Sequence, residues 1–302
     1  MTSPLGSPTV SSPTAASGVT EEYVVPVADR VITRPRPGRW VTYAVVALVV
    51  AMLVYSVLTN DNWHWDVVRA HLLDSAVLKG LAVTVVLTVA AMILGLVLGS
   101  VVAALRLSES RILSAIAGWY IWFFRGVPVI VQVIFFVYLG QLYPYLGLGV
   151  PFGGPKLAFY NTNDLIAPIV GCIIGLCLNE SAYQAEIIRG AVASVPKGQR
   201  EAAAALGMTP WQVRRRVIAP QILPVAVPPF FNDVISMTKT TAVVILASVT
   251  DLFSAVSQIG ARTFQQVPLL LVATFWYLVL TAVITLLQIG LERILTRHNR
   301  PS

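Results

Sequence analysis

The stretch Arg189-GAVASVPKGQREAAAALGMTPWQVRRRVIA-Pro220 is the longest polar interval between apolar segments, and it carries six of the 21 Lys and Arg residues. Two short helices are legible in it. Pro196 suits the start of the first, which runs through Glu201 to Leu206, and Gly207 suits its C-terminal cap. Thr209 is a good N-cap for the second, Pro210 fits its first turn, and Gln212 completes a capping box with Thr209. Isolated helices need roughly 12 to 15 residues to persist in water, so this pair is expected to dock on something.

What surrounds the stretch is a membrane protein. The 302 residues are 56% hydrophobic and 12% charged, with a mean hydropathy of +0.76. Several apolar runs exceed the 18 residues that mark a membrane span. Six spans are predicted, over 41–58, 78–105, 112–139, 165–188, 221–246 and 267–291, the fifth broken up by Pro224, Pro228 and Pro229. Residues 1–40, rich in Ser, Thr and Pro and ending in a basic patch, read as a disordered cytoplasmic tail. Residues 60–77, with Trp63 and Trp65, read as an external segment lying at the interface. Residues 140–164, with five glycines and three prolines, read as loop. A cytoplasmic tail covers 294–302.

The net charge of +7 has a topological distribution. With the N-terminus inside, the inner segments hold Arg30, Arg34, Arg36 and Arg39, then Arg106 and Arg111, then the six cations of the 189–220 loop, then Arg293, Arg297 and Arg300. That makes fifteen, against four outside: Arg69, Lys79, Lys156 and Arg262. The positive-inside rule therefore places both termini and the 189–220 loop in the cytoplasm. It also explains Arg214-Arg215-Arg216 beside a span, so a nucleic-acid partner is not expected. Cys172 and Cys177 lie within one span and imply neither a disulfide framework nor zinc, and His64 with His71 lacks a third ligand, so no metal site is expected.

The loop reads Glu201-Ala202-Ala203, three residues, Gly207, nine residues, then Val217, Ala219 and Pro220. This spacing resembles the EAA loop of ATP-binding-cassette (ABC) importer permeases, with Ala219 where that pattern has Leu. The resemblance extends over about 78–293. Lys79-Gly80 with Thr84, FFRGVPVIVQ at 123–132, LNESAYQAEIIRG at 178–190, VPKGQREAA at 195–203 and ARTF at 261–264 are similar to the branch importing polar amino acids such as histidine, glutamate, glutamine and arginine. It implies an all-α integral membrane protein with a type I ABC importer permease fold: a five-helix core plus an added N-terminal helix at 41–59. It further implies a multi-pass protein of a bacterial plasma membrane that binds no cofactor. ATP and Mg would sit on separate ABC ATPase subunits docked at Glu201, Ala202, Ala203, Gly207 and Pro220. The sequence agrees, since it holds no G-x-x-x-x-G-K-[ST] phosphate loop. The other partners implied are an extracytoplasmic substrate-binding protein, a second permease copy, identical or homologous, and the lipid bilayer.

Charged groups within spans cost at least ~2.5 kcal/mol each, so they mark function. Glu180 and Asn179 in the fourth span, and Lys239 with Asn232 in the fifth, are expected to line the substrate pathway. Glu201 is expected early in its helix, where the dipole favours a carboxylate. Glu186 is expected to pair with Arg189, and Arg125 to anchor structurally. An ion-coupled secondary transporter is the alternative; it accounts for the spans but leaves the 189–220 loop without a role.

Overall fold

The computed structural model describes residues 38–149 and 156–298. The tail expected over 1–40 falls almost wholly outside this range, as do the last four residues of the tail expected over 294–302. The chain divides into two units, residues 1–60 and 61–302. The first contributes α1, Gly38–Thr59, a helix apolar on every side, as a lipid-facing span requires.

The second unit begins with a single 3-10 turn, Asp61–Trp63, and α2, Trp65–His71, within the stretch 60–77 expected to lie at the interface. The indole of Trp276 donates to the Leu72 carbonyl at 2.8 Å and ties this segment to the last helix. Asp74 then caps α3, Ser75–Arg106, accepting from the Ala76 amide. The remaining helices are α4, Arg111–Gly126; α5, Val129–Val137; a short α6, Leu139–Leu142; α7, Thr162–Leu165; α8, Pro168–Ala193; α9, Lys197–Ala205; a single turn α10, Pro210–Gln212; α11, Ala219–Thr240; α12, Leu252–Thr263; and α13, Gln266–His298.

Three expectations about these elements are corrected. The 140–164 segment is not all loop: β1, Tyr145–Gly149, pairs antiparallel with β2, Lys156–Asn161, and Tyr145 stands opposite Asn161. The glycines and prolines concealed the alternation that marks a hairpin. The third span is not one helix, because α4 and α5 meet at 97°. The fifth span is not broken by its prolines; α11 runs through Pro224, Pro228 and Pro229 without interruption. Its neighbours α13, α8 and α3 hold it from several sides, and packed neighbours are what make proline tolerable in a membrane helix.

By length and apolar content, four described helical runs suffice to cross a bilayer, and α4 with α5 makes a fifth if counted as one span. The other predicted span, α8, carries Asn179, Glu180, Gln184 and Glu186. At ~1.5 Å per residue it is ~39 Å long, enough to cross, but protein rather than lipid covers much of it. Its packing against α3 is the most extensive helix contact among the described residues. Glycines allow the close approach: a Cβ at Gly99 would fall 2.7 Å from the Ser181 carbonyl oxygen, and one at Gly175 would fall 2.8 Å from the Val133 Cα on α5. Small residues four apart serve this purpose where no hydrophobic force drives helices together. Leu87, Val133, Leu176 and Met237 fill the centre among α3, α5, α8 and α11.

Candidate functional site

The site begins with the bend between α4 and α5. Val127 precedes Pro128, which disfavours helical backbone there, and Val127 is extended at φ −88°, ψ 132°. Ending a helix at a bend leaves carbonyls without their helical amide donors. The Gln132 amide nitrogen repairs this by donating to the Phe124 carbonyl at 2.9 Å and the Val127 carbonyl at 2.8 Å. Asn179 on α8 adds a second donor to the Phe124 carbonyl at 2.8 Å. The Gln132 Oε1 is buried without a hydrogen-bond partner among the described residues.

A cavity of about 360 Å³ opens beside this bend. The bend supplies Arg125 and Pro128, α8 supplies Asn179, Glu180 and Tyr183, and α11 supplies Asp233, Ser236 and Thr240. Glu180 sits half-way along α8 and is only 5% exposed. Gly95 on α3 makes room for it, since a Cβ there would lie 3.0 Å from the Glu180 Cγ. Gln184, fully buried one turn along, donates to Glu180 Oε1 at 2.6 Å and to Asp233 Oδ2 at 3.4 Å, so one amide serves two carboxylates on two helices. In the same lining the Arg125 guanidinium stands 5.0 Å from the centre of the Tyr183 ring, a cation–π contact. The cavity therefore offers two carboxylates, a guanidinium, an amide and hydroxyls within one small volume.

Of the four residues expected to line a pathway, Glu180 and Asn179 border this cavity, whereas Lys239 and Asn232 are exposed and do not. Asp233 and Arg125 stand in their place. Asp233 was legible as an acidic residue inside a span, but which side of α11 faces α8 depends on how the helices pack. Glu186 turns away from the cavity and holds Arg189 in a two-pronged ion pair, at 2.9 Å to Nε and 2.8 Å to Nη2.

The 189–220 loop has its own construction. Arg200 Nη2 donates to the Val192 carbonyl at 3.0 Å, tying α9 to the end of α8, and Gln221 donates to Gln199, tying α9 to α11. The Met208 amide bonds the Ala203 carbonyl at 3.2 Å and the Gly207 amide bonds the Ala204 carbonyl at 2.9 Å. This pair of bonds is a Schellman ending, with Gly207 at φ +75°. No atom would crowd a Cβ at Gly207, so backbone conformation alone selects glycine. The capping box is formed: the Thr209 amide donates to Gln212 Oε1 at 2.8 Å, and the Gln212 amide donates to Thr209 Oγ1 at 3.4 Å.

Two expectations about the loop are corrected. The second helix is not a separate short piece. It passes through a π turn, Val213–Ile218, directly into α11, giving one helical run from Pro210 to Ala247. Pro220 accounts for the π turn, because its ring crowds the preceding turn and has no N–H to donate, and the wider turn accommodates it. Glu201 is not at the start of its helix, since the first turn of α9 contains no acidic residue. Glu201 and Ala202 are exposed, Ala203 is buried, and Leu206 and Trp211 are 81% and 67% exposed. The outer side of the loop is a small surface of alanines, one carboxylate and two large apolar side chains.

Residues 95–297 match the model of the family "binding-protein-dependent transport system inner membrane component". The chain belongs to this family. The permease is 39% identical over 258 residues to the arginine transport system permease protein ArgU of Corynebacterium glutamicum, covering 85% of this chain and 80% of that one. It is 34% identical over 218 residues to the glutamate/aspartate import permease protein GltK of Escherichia coli, covering 72% and 92%. Among solved structures, a chain of an amino acid ABC transporter with histidines aligns at a TM-score of 0.59 and 29% identity, covering 72% of the permease and 93% of that chain. The inward-facing methionine transporter MetNI aligns at 0.60 with 18% identity, a likeness of fold. The permease thus has the type I ABC importer fold and is a membrane-embedded, multi-pass transport component.

A buried cluster elsewhere in the permease explains another of its motifs. Asp251, fully buried, caps α12 by accepting from the Ser254 amide at 2.9 Å and the Ser254 hydroxyl at 2.6 Å. Thr84 on α3 donates to the same carboxylate at 3.5 Å and accepts from the Leu252 amide at 3.1 Å. A Cβ at Gly80 would fall 2.7 Å from the Asp251 carbonyl oxygen. The Gly80…Thr84 spacing is thus one helical turn of α3 shaped to receive the start of α12.

Proposed function

We propose that this permease forms, with a second permease copy, the transmembrane pathway of an importer for polar amino acids, and that it couples this pathway to a separate ATP-hydrolysing subunit. The observation that carries the proposal is the single helical run from Pro210 to Ala247, which has the exposed loop at one end and the cavity residues Asp233, Ser236 and Thr240 further along. A partner pushing on Trp211 and the neighbouring turn would move one wall of the cavity directly. The cavity's carboxylates and guanidinium suit a ligand bearing both an ammonium and a carboxylate, and its size lies at the lower end of small-molecule sites, roughly 300–1,000 Å³. Glu180, Asn179, Asp233 and Arg125 are the proposed contacts. Lys239 and Asn232, exposed away from the cavity, are not. The names of the relatives point to the same substrate class.

Glu201, Ala202, Ala203, Gly207 and Pro220 belong to the proposed ATPase-docking element, with ATP and Mg held by the partner and none by this chain. A substrate-binding protein delivers the amino acid from outside, and the loop and both termini face the cytoplasm, a reading supported by the distribution of Lys and Arg. An ion-coupled secondary transporter is not favoured: the relatives are ABC permeases, and that reading gives the capped loop no task.

The test is reconstitution of the permease with its ATPase and binding protein in liposomes, followed by ATPase assays with a panel of amino acids. Stimulation by one or a few polar amino acids, and only with the binding protein present, is expected. Uptake by the permease alone under an ion gradient would reject the proposal.

A further inference from the structure

A second, larger cavity of about 730 Å³ lies between the end of α3, the end of α8 and the docking loop. Its polar lining is Arg200, Arg214, Glu109, Ser100 and Ser108. Much of the rest is apolar and includes Leu107, Ile188, Val192 and Ile218. Neither arginine forms an ion pair among the described residues. Arg200 holds the Val192 and Val195 carbonyls through Nη2, yet its Nε is buried with no partner among the described residues. A buried guanidinium N–H without an acceptor is unfavourable, since it has given up its hydration without a replacement. The cavity also sits beside the end of the long apolar helix α3, which closes on Arg106.

We infer that this cavity binds an anionic phospholipid of the inner leaflet, its phosphate between Arg200 and Arg214 and its acyl chains along the wall formed by Leu107, Ile188, Val192 and Ile218. Basic pockets between membrane helices on the cytoplasmic side take such headgroups. The apolar wall favours a lipid over a soluble anion, which has no apolar part to bury. The inference rests on the cytoplasmic placement of the 189–220 loop proposed above. A lipid held here touches both the end of α8 and the π turn through which the loop joins α11, so it is placed to set how stiffly the loop is connected to the pathway.

The experiment is native mass spectrometry of the full-length permease in detergent, titrated with phosphatidylglycerol or with phosphatidylcholine of the same chains. Tighter retention of phosphatidylglycerol is expected. Arg214→Gln should weaken it about fivefold, whereas Arg216→Gln, on the same turn but outside the cavity, should not. Glu109→Gln, which removes the repelling carboxylate, should strengthen it. Three results would each overturn the inference: equal retention of the two lipids, equal weakening by Arg214→Gln and Arg216→Gln, or displacement of phosphatidylglycerol by excess inorganic phosphate. The readout is lipid retention by the isolated permease, so a failed ATPase assay with amino acids leaves it standing.

Discussion

At the scale of single residues, the decisive group is Gln184. Its amide donates to Glu180 and Asp233 from the same nitrogen, and so holds two carboxylates at one wall of the cavity. Removing the charge of Glu180 leaves the helices packed, because glutamine fills nearly the same volume against Gly95. Hydrogen bonds to charged groups contribute about 1.5–3 kcal/mol. Glu180→Gln is therefore expected to lower amino-acid uptake by the reconstituted complex at least about tenfold, with Asp233→Asn close behind and Lys239→Ala near wild type. Wild-type uptake in Glu180→Gln would remove Glu180 from the pathway. Reading the sequence singled out Glu180 and Asn179 because polar groups within a span are costly. It favoured Lys239 and Asn232 over Asp233 because helical spacing relates residues to one another but does not say which side of α11 meets α8.

At the scale of elements, the bend and the loop each depend on one residue. Gln132 donates to two carbonyls at the 97° turn; Asn179 also serves the Phe124 carbonyl, so Gln132→Leu strands the Val127 carbonyl at a cost of about 1–3 kcal/mol. The expected outcome is a clear fall in thermal stability of the purified permease with insertion into the membrane unimpaired; an unchanged melting temperature would show that the bend is held by other means. In the loop, Gly207 adopts φ +75° with open space around it. A residue with a Cβ pays roughly 1–2 kcal/mol there, and Gly207→Leu should tilt α9 away from the helical run that starts at Pro210. Substrate-stimulated ATP hydrolysis should drop several-fold while the permease still assembles; full stimulation would mean that the angle between the two helices does not matter. The capping box and the glycine ending were legible in full, since both are local. The joining of α10 to α11 was not, because Pro220 reads as a break, and only the widened turn before it shows how the helix continues.

At the scale of the whole molecule, the proposed orientation predicts accessibility. In a variant with Cys172 and Cys177 replaced by alanine, Ala204→Cys in the docking loop should be shielded from a membrane-impermeant thiol reagent in intact cells. Tyr160→Cys in the external hairpin should react. Both positions are exposed in the folded chain, so the membrane alone decides which reacts, and the reverse pattern would invert the topology. Packing follows the same logic at larger range: α3 and α8 touch through Gly95 and Gly99, and α5 and α8 through Gly171 and Gly175. Those glycines lie four apart, but their partners are set by the approach of separate helices.

The amino-acid sequence by itself determined the membrane class, the places where apolar runs begin and end, the charge asymmetry behind the proposed orientation, and the capped loop with Gly207 between its two helices. All of these are local in the chain or sums over it. Tertiary structure alone decided that the third span folds back at Pro128, that α11 survives three prolines, and that Asp233 and Arg125, rather than Lys239 and Asn232, border the cavity with Glu180. Each depends on which backbone carbonyls find donors and which helix faces meet, and those pairings join residues far apart in sequence.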